Sequence, residues 1–435
     1  MSTRIAMHYG NSLARASRLA LALFLGLITM TTQAGVLPDG DEFVVSNDTT
    51  FNKERTALAA DAAGVYIAAW TSFNQDGSFL GVYARRFDAQ GLPLGDEFQV
   101  NTDWDRHQSE PAVAVSADGS FVIVWESQQL IAGQVRWMIR GQRFASNGLP
   151  QGGEFQANAG TGSNHRRPTV AMAPDGAFVI AWESTSSDGG FGYFGQRYAA
   201  DGTPLGGEFQ YRSGGQTATA PSLAHLPDGG FLAVWPQWSG GQYAIEAQRF
   251  SASGSPQGGT IVISTASAQI KTAPRVVVNG HGAGLVIWRE RPAGSQLNGI
   301  VARRLDASGQ PASTIFQVHQ FESQKQGMVP AIDAGGNALV VWASALQDGT
   351  PWSIYARHVP ADGSLTSTEF RVNTTVVGSQ FWPWVAMQPD GRAMVIWDNG
   401  DAPHRQQIHG QRLRSANLIF ANGFETPPLL GNLAH

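Results

Sequence analysis

The sequence predicts an all-β fold, a seven-bladed β-propeller with four antiparallel strands per blade, closed by the N-terminal strand. Three observations predict it. A unit of about 55 residues recurs seven times along the chain. Each unit divides into four short strand-like segments. The fourth segment occurs once ahead of the first complete unit and has no clear copy after the last.

The second blade shows the elements in order. Pro111 to Val115 reads as its first strand, and Asp118-Gly119 as a tight hairpin, because glycine accepts positive φ at little steric cost. Phe121 to Trp125 is apolar at consecutive positions and reads as a second strand buried on both faces, as expected between neighbouring blades. Ile139 to Phe144 is the third strand and Glu154 to Ala157 the fourth. The landmark of the unit is the tryptophan ending the second strand: Trp70, Trp125, Trp182, Trp235, Trp288, Trp342 and Trp397, each six residues after a glycine. Four strands in seven copies suit sheets stacked radially around a channel.

The fourth-strand motif Glu42-Phe43-Val44-Val45 precedes every complete unit and recurs at Glu97-Phe98, Glu154-Phe155, Glu208-Phe209 and Glu369-Phe370. The N-terminal copy is therefore expected to complete the last blade and cover its open edge. An open solenoid would need atypical capping repeats, and none is visible.

Gly-Gln-Arg-Phe, Gly-x-Pro-x-Gly-x-Glu-Phe-Gln-Val-Asn-Thr, then Pro-x-Val-Ala and Asp-Gly-x-Phe-Val-x-x-Trp-x-Ser run through the units. The pattern resembles a repeat of large secreted bacterial proteins, some of them adhesin-like members of the RTX group, over roughly residues 41–413. The resemblance implies a fold and brings no catalytic residues. The calcium-binding nonapeptides of that group are missing. The segment from Ile419 to Glu425 is similar to a C-terminal motif of exported proteins in some proteobacteria.

Arg4, Arg15 and Arg18, the apolar run Leu19 to Met30 and Thr32-Gln33-Ala34 read as a secretory signal, the run being short of the roughly 20 apolar residues of a membrane span. The expected division is a signal peptide at 1–34, the propeller at 35–414 and a C-terminal tail at 415–435, in an exported protein: secreted, cell-surface or periplasmic. Cleavage removes three arginines and no acid, taking the formal net charge from −5 to about −8. With no basic patch in view, nucleic acid is not expected as a partner. The chain has no cysteine, so packing and strand pairing must hold it together. A monomer without a membrane-spanning segment, metal or cofactor is expected.

Spacing points to one end of the propeller for function. The glycine-to-tryptophan interval is constant, whereas the interval from that tryptophan to the third-strand Arg or His runs from 14 residues (Trp235 to Arg249) to 18 (Trp125 to Arg143). Variable loops on a constant scaffold are where binding and catalysis usually sit. The unrepeated tryptophans Trp104, Trp137, Trp238, Trp352, Trp382 and Trp384 all fall in or near those variable connections and are the candidate ligand platform. The third-strand series Arg86, Arg143, Arg197, Arg249, Arg304, His358 and Arg412 reads instead as interblade architecture. Glu110 and Arg167 precede first-strand prolines at the channel mouth, and Glu126 and Glu183 follow repeated tryptophans. Two carboxylates on adjacent blades suit glycoside chemistry if their separation allows it, and solvated loop residues otherwise. No nucleophile elbow, phosphate loop, zinc motif or sialidase box with its proper spacing is present. The expected function is binding of a glycan or a surface protein, the alternative being a carbohydrate-active hydrolase or lyase with Glu126, Glu183, Glu110 or Arg167 in its site.

Overall fold

Alternating turns and short, β-branched and aromatic segments leave the chain no helical period to follow, and the described residues contain strands and no helix. The computed structural model describes residues 36–185, 191–214, 219–400 and 406–415. The signal segment expected at 1–34 and all but the start of the 415–435 tail lie outside them.

The strands form seven antiparallel sheets, arranged as a seven-bladed propeller. In the second blade they are Gln108–Val115, Phe121–Ile131, Gln134–Phe144 and Phe155–Gln156. The predicted second strand is longer than its apolar run, because Glu126 to Ile131 and Gln134 to Arg140 continue the hairpin past the core. Every first-to-second hairpin turns on its glycine, with φ between 81° at Gly119 and 90° at Gly64 and Gly176. The N-terminus closes the ring as the sequence predicts: Phe43 pairs with Gly410 and Val44 with His409. Val36–Pro38 adds a further short pairing, Val36 to Ser415 through Pro38 to Leu413.

The repeated tryptophans are the mortar between blades. Six of them are wholly buried and Trp235 is nearly so. Each belongs to an apolar cluster that spans two adjacent blades, as Trp125 does with Ile67, Ala69 and Val82 of the first. Their indole N–H groups are served unevenly. Gln108 accepts from Trp125 at 3.0 Å and Gln380 from Trp397 at 2.9 Å. In the first and sixth blades the glutamine's place is held by buried Lys53 and Lys325, whose ammonium groups instead bond loop carbonyls, and Trp70 and Trp342 have no partner.

Polar pins repeat around the ring. The glutamate of each Glu-Phe motif accepts backbone N–H groups of the preceding blade: Glu154 from Thr102 at 2.9 Å, Glu208 from Ala159 at 2.7 Å and Glu369 from Gln320 at 2.9 Å. The third-strand arginines donate to carbonyls of the following blade: Arg86 to Ser146, Arg197 to Ala252 at 2.6 Å, Arg304 to Val359 at 2.7 Å and Arg412 to Gln90. Glycine is required where these arginines land. Gly148 has φ of 86°, and a Cβ there would stand 2.9 Å from Arg86 Nε. The arginine series is interblade architecture.

Candidate functional site

The first strands of the seven blades ring a central channel, and at their starting ends it opens into a cavity of about 510 Å³. A second cavity of about 530 Å³ occupies the channel toward the opposite end. Thr169, Val170, Arg275, Val329 and Trp384 border both, so they form the waist between them.

The mouth is shaped by a bulge repeated in six blades. In the first strand of each, one extra residue interrupts the register with the second strand, between Glu54 and Ala57 in the first blade and between Ser109 and Ala112 in the second. The residue at the bulge is left-handed every time: Arg55 (φ 59°), Glu110 (55°), Arg167 (53°), Ala273 (51°), Gly327 (58°) and Trp382 (47°). Such a conformation costs on the order of 1–3 kcal/mol for a residue with a side chain, and bulges re-aim side chains. Here all six positions line the mouth.

Carboxylates hold two of the six bulges from the neighbouring blade. Asp398 Oδ2 accepts the Arg55 N–H at 3.1 Å, and Glu126 Oε1 accepts the Arg167 N–H at 2.7 Å. Both occupy the position after the repeated tryptophan, so this position in one blade supports the bulge in the next. Asp398 is buried, and burial pushes its carboxyl well above the usual range.

Glu126 is wholly buried. Its Oε2 takes the Arg166 guanidinium at 3.0 Å (Nε) and 2.9 Å (Nη2), so both oxygens are engaged. Glu183 Oε1 is ion-paired with Arg167, while its Oε2 is buried without a partner. Burial raises both carboxyls, against the opposing pull of Arg166 on Glu126 and of Arg167 on Glu183. Glu126 borders the mouth cavity and Glu183 lies behind Arg167. Glu110 pairs with Arg55 across blades at 3.1 Å.

The unrepeated tryptophans divide between the mouth and its surroundings. Trp382 and Trp384 line the mouth, with the Arg55 guanidinium 4.8 Å from the Trp382 ring and Arg275 5.1 Å from that of Trp384. Trp137 reaches the mouth indirectly, under Arg166 at 4.3 Å. Trp352 packs on Phe381 at 5.3 Å and on the core between the last two blades. Trp238 pairs with Tyr243 in the outer hairpin of the fourth blade. Trp104 stands 64 % exposed between the first two blades, apart from the cavity.

Of the residues singled out in the sequence, the structure brings Glu110, Arg167, Glu126, Trp382 and Trp384 to the mouth, beside Arg55, Arg166 and Arg275, which were not singled out. The residue before the first-strand proline was a usable signal, since it marks the bulge in four blades. Arg55 and Gly327 escape it because Thr56 and Met328 stand where those four have proline. Among the described residues no group of three or more His, Asp or Glu side chains is placed to hold a metal.

No protein-family model matches the chain, and no curated protein matches its sequence. Solved structures match its fold. A protein of unknown function from Dyadobacter fermentans is similar with a TM-score of 0.53 at 11% identity, over 88% of this chain and 99% of that one. An ulvan lyase, a polysaccharide lyase bound to -[GlcA(1-4)Rha3S]-, is similar with a TM-score of 0.51 at 9% identity, over 87% and 100%. These likenesses show the shared propeller fold.

Proposed function

We propose that the chain is an exported, monomeric binding module that takes a glycan in the mouth of its central channel. The observation that carries this reading is the cavity of about 510 Å³ with the half-exposed Trp382 indole on its wall. An indole face stacks on the apolar face of a pyranose ring, and guanidinium groups beside it supply hydrogen bonds to hydroxyl and acidic substituents. Trp382 is held out by its bulge: the Thr56 hydroxyl donates to its carbonyl at 3.0 Å and Arg55 covers one side of its ring. Trp104, exposed on the same end of the propeller, is a second point of contact for a long chain. The propeller neighbours named above lend the fold and no more; export rests on the N-terminal sequence.

The alternative, a hydrolase or lyase, is favoured by the free Glu183 Oε2 and the raised Glu183 carboxyl, both suited to a general acid. Against it stand the engagement of both Glu126 oxygens and the seat of Glu183 behind Arg167.

Screening residues 35–435 on a polysaccharide array tests the reading. The expected result is a specific glycan whose affinity Trp382→Ala weakens roughly tenfold, the loss of one to a few kcal/mol of aromatic stacking, with thermal stability unchanged. A clean array, with binding only to an envelope protein, would replace the glycan by a protein partner. Turnover of a bound glycan that Glu183→Gln abolishes would establish the enzyme instead.

A further inference from the structure

The mouth carries six cations, Arg55, Arg166, Arg167, Arg275, Arg289 and Lys325, against Glu110 and Glu126 on its wall, in a chain of formal charge −5. Most of that positive charge is already engaged. Arg55 is paired with Glu110 at 3.1 Å and Arg166 with Glu126 at 2.9 Å, and Arg167 is paired with Glu183. Lys325 is taken up by oxygens of its own loop, Phe321 O at 2.6 Å and Ser323 Oγ at 3.1 Å among them.

Two arginines of the fifth blade are left. The Arg275 side chain has no hydrogen bond or ion pair to any described residue, and its guanidinium meets the Trp384 ring at the channel waist. Arg289 donates Nε to Thr272 Oγ1 at 3.2 Å and has no carboxylate partner. They sit on paired strands, Thr272 opposite Arg289 and Arg275 opposite Ile287, and both face the cavity. Arginine stays charged in proteins, and these two guanidinium groups, half-buried on the cavity wall, face it without a carboxylate counter-ion. Burial lowers the pKa of both, against the distant pull of Glu110 on Arg275. The fork geometry of guanidinium matches a two-oxygen anion.

We infer that the ligand is an acidic polysaccharide and that Arg275 and Arg289 form the subsite for its carboxylate or sulfate. The inference rests on the glycan reading and adds the charge class: a sugar ring lies against Trp382 or Trp384 while its oxyanion replaces the missing counter-ion at the waist. A uronate and a sulfate ester share this chemistry, and the probes below separate them.

Binding of the mature protein is measured by calorimetry to polygalacturonate, dextran sulfate, neutral dextran and poly-glutamate, for wild type, Arg275→Gln, Arg289→Gln and Arg275→Lys. The expected result is binding to polygalacturonate or dextran sulfate, whichever anion fits, with little to neutral dextran. Arg275→Gln should weaken it about 10- to 100-fold, as loss of a charge-assisted pair does, and flatten its salt dependence. Arg275→Lys should recover part of the loss, because the charge returns without the fork. Thermal unfolding of each variant identifies any that fail to fold, and Arg289→Gln keeps the test open if Arg275→Gln is one. Acidic-glycan binding unchanged in two folded glutamine variants would overturn the subsite and leave the glycan reading standing. Binding of dextran alone would overturn the acidic ligand and likewise spare that reading. Binding of poly-glutamate with no glycan bound would overturn both.

Discussion

At the residue scale, Asp398 shows how the mouth is held. Its carboxylate lies in the interior, gives one oxygen to the Arg55 N–H and leaves the other without a partner. Burial raises its pKa, so the folded protein holds this proton more tightly than the unfolded chain does. The group's stabilising contribution is therefore full below the ordinary aspartate range and is lost as pH rises through the raised one. Asp398→Asn keeps an acceptor for Arg55 and removes the ionisation. Its melting temperature relative to wild type should climb by on the order of 2 °C between pH 4 and pH 8; a constant difference would mean that Asp398 is solvated. Little of this was legible beforehand. The sequence marks Asp398 as the equivalent of Glu126 and Glu183, but a carboxylate after a tryptophan reads equally as catalyst, loop residue or bulge support. Only the left-handed φ at Arg55 and Arg167, a tertiary feature, decides for the support role.

At the element scale, a blade is an ordinary four-stranded sheet, and what distinguishes this chain is how one sheet is fastened to the next. The sequence announced those fastenings by repetition. Trp on the second strand recurs in all seven blades, Arg on the third in six and Glu in Glu-Phe in five, and each proved to link neighbours. The bulge is repeated as well, yet it hid, since Arg, Glu, Ala, Gly and Trp share no side-chain chemistry and only their backbone state is common. The fastenings also differ in weight. Arg304 is buried and donates to Gly336 at 2.7 Å, Val359 at 2.7 Å and Pro360 at 2.5 Å, whereas Arg86 serves Ser146 in an exposed setting. Arg304→Ala strips buried carbonyls of a charged donor and should cost roughly 2–4 kcal/mol, and Arg86→Ala about 1 kcal/mol or less. Denaturant midpoints of the two variants, at unchanged m-value, measure the contrast. Equal losses would mean that burial at the fifth interface adds nothing.

At the scale of the whole molecule, seven similar interfaces become a ring only if the last blade receives its fourth strand from the other end of the chain. Glu42 is the polar lock of that closure. It accepts from the Thr374 N–H at 2.8 Å, the Thr375 N–H at 3.0 Å and His409 Nδ1 at 2.8 Å, thereby joining the N-terminus to the sixth and seventh blades. Burial by itself would raise its pKa, but the bonds from His409, Thr375 and Thr374 outweigh it and bring the carboxyl down to about 2. A depressed carboxyl stabilises above its unfolded value and loses that contribution as pH falls through the folded one. Closure should therefore weaken between roughly pH 4.5 and pH 2, whatever the other carboxylates do. Glu42→Gln retains one acceptor and surrenders the charge. It should melt below wild type at pH 7 by the equivalent of about 1–3 kcal/mol, the gap narrowing as both are acidified toward pH 2. The equivalent glutamate Glu208 supports an internal joint, where covalent continuity on both sides keeps the blades together, so Glu208→Gln should cost less than Glu42→Gln. Comparable losses at the two positions would mean that the seam is no weaker than any other interface, and that the ring is held by apolar packing around Val45, Tyr66 and Trp70 rather than by its polar lock.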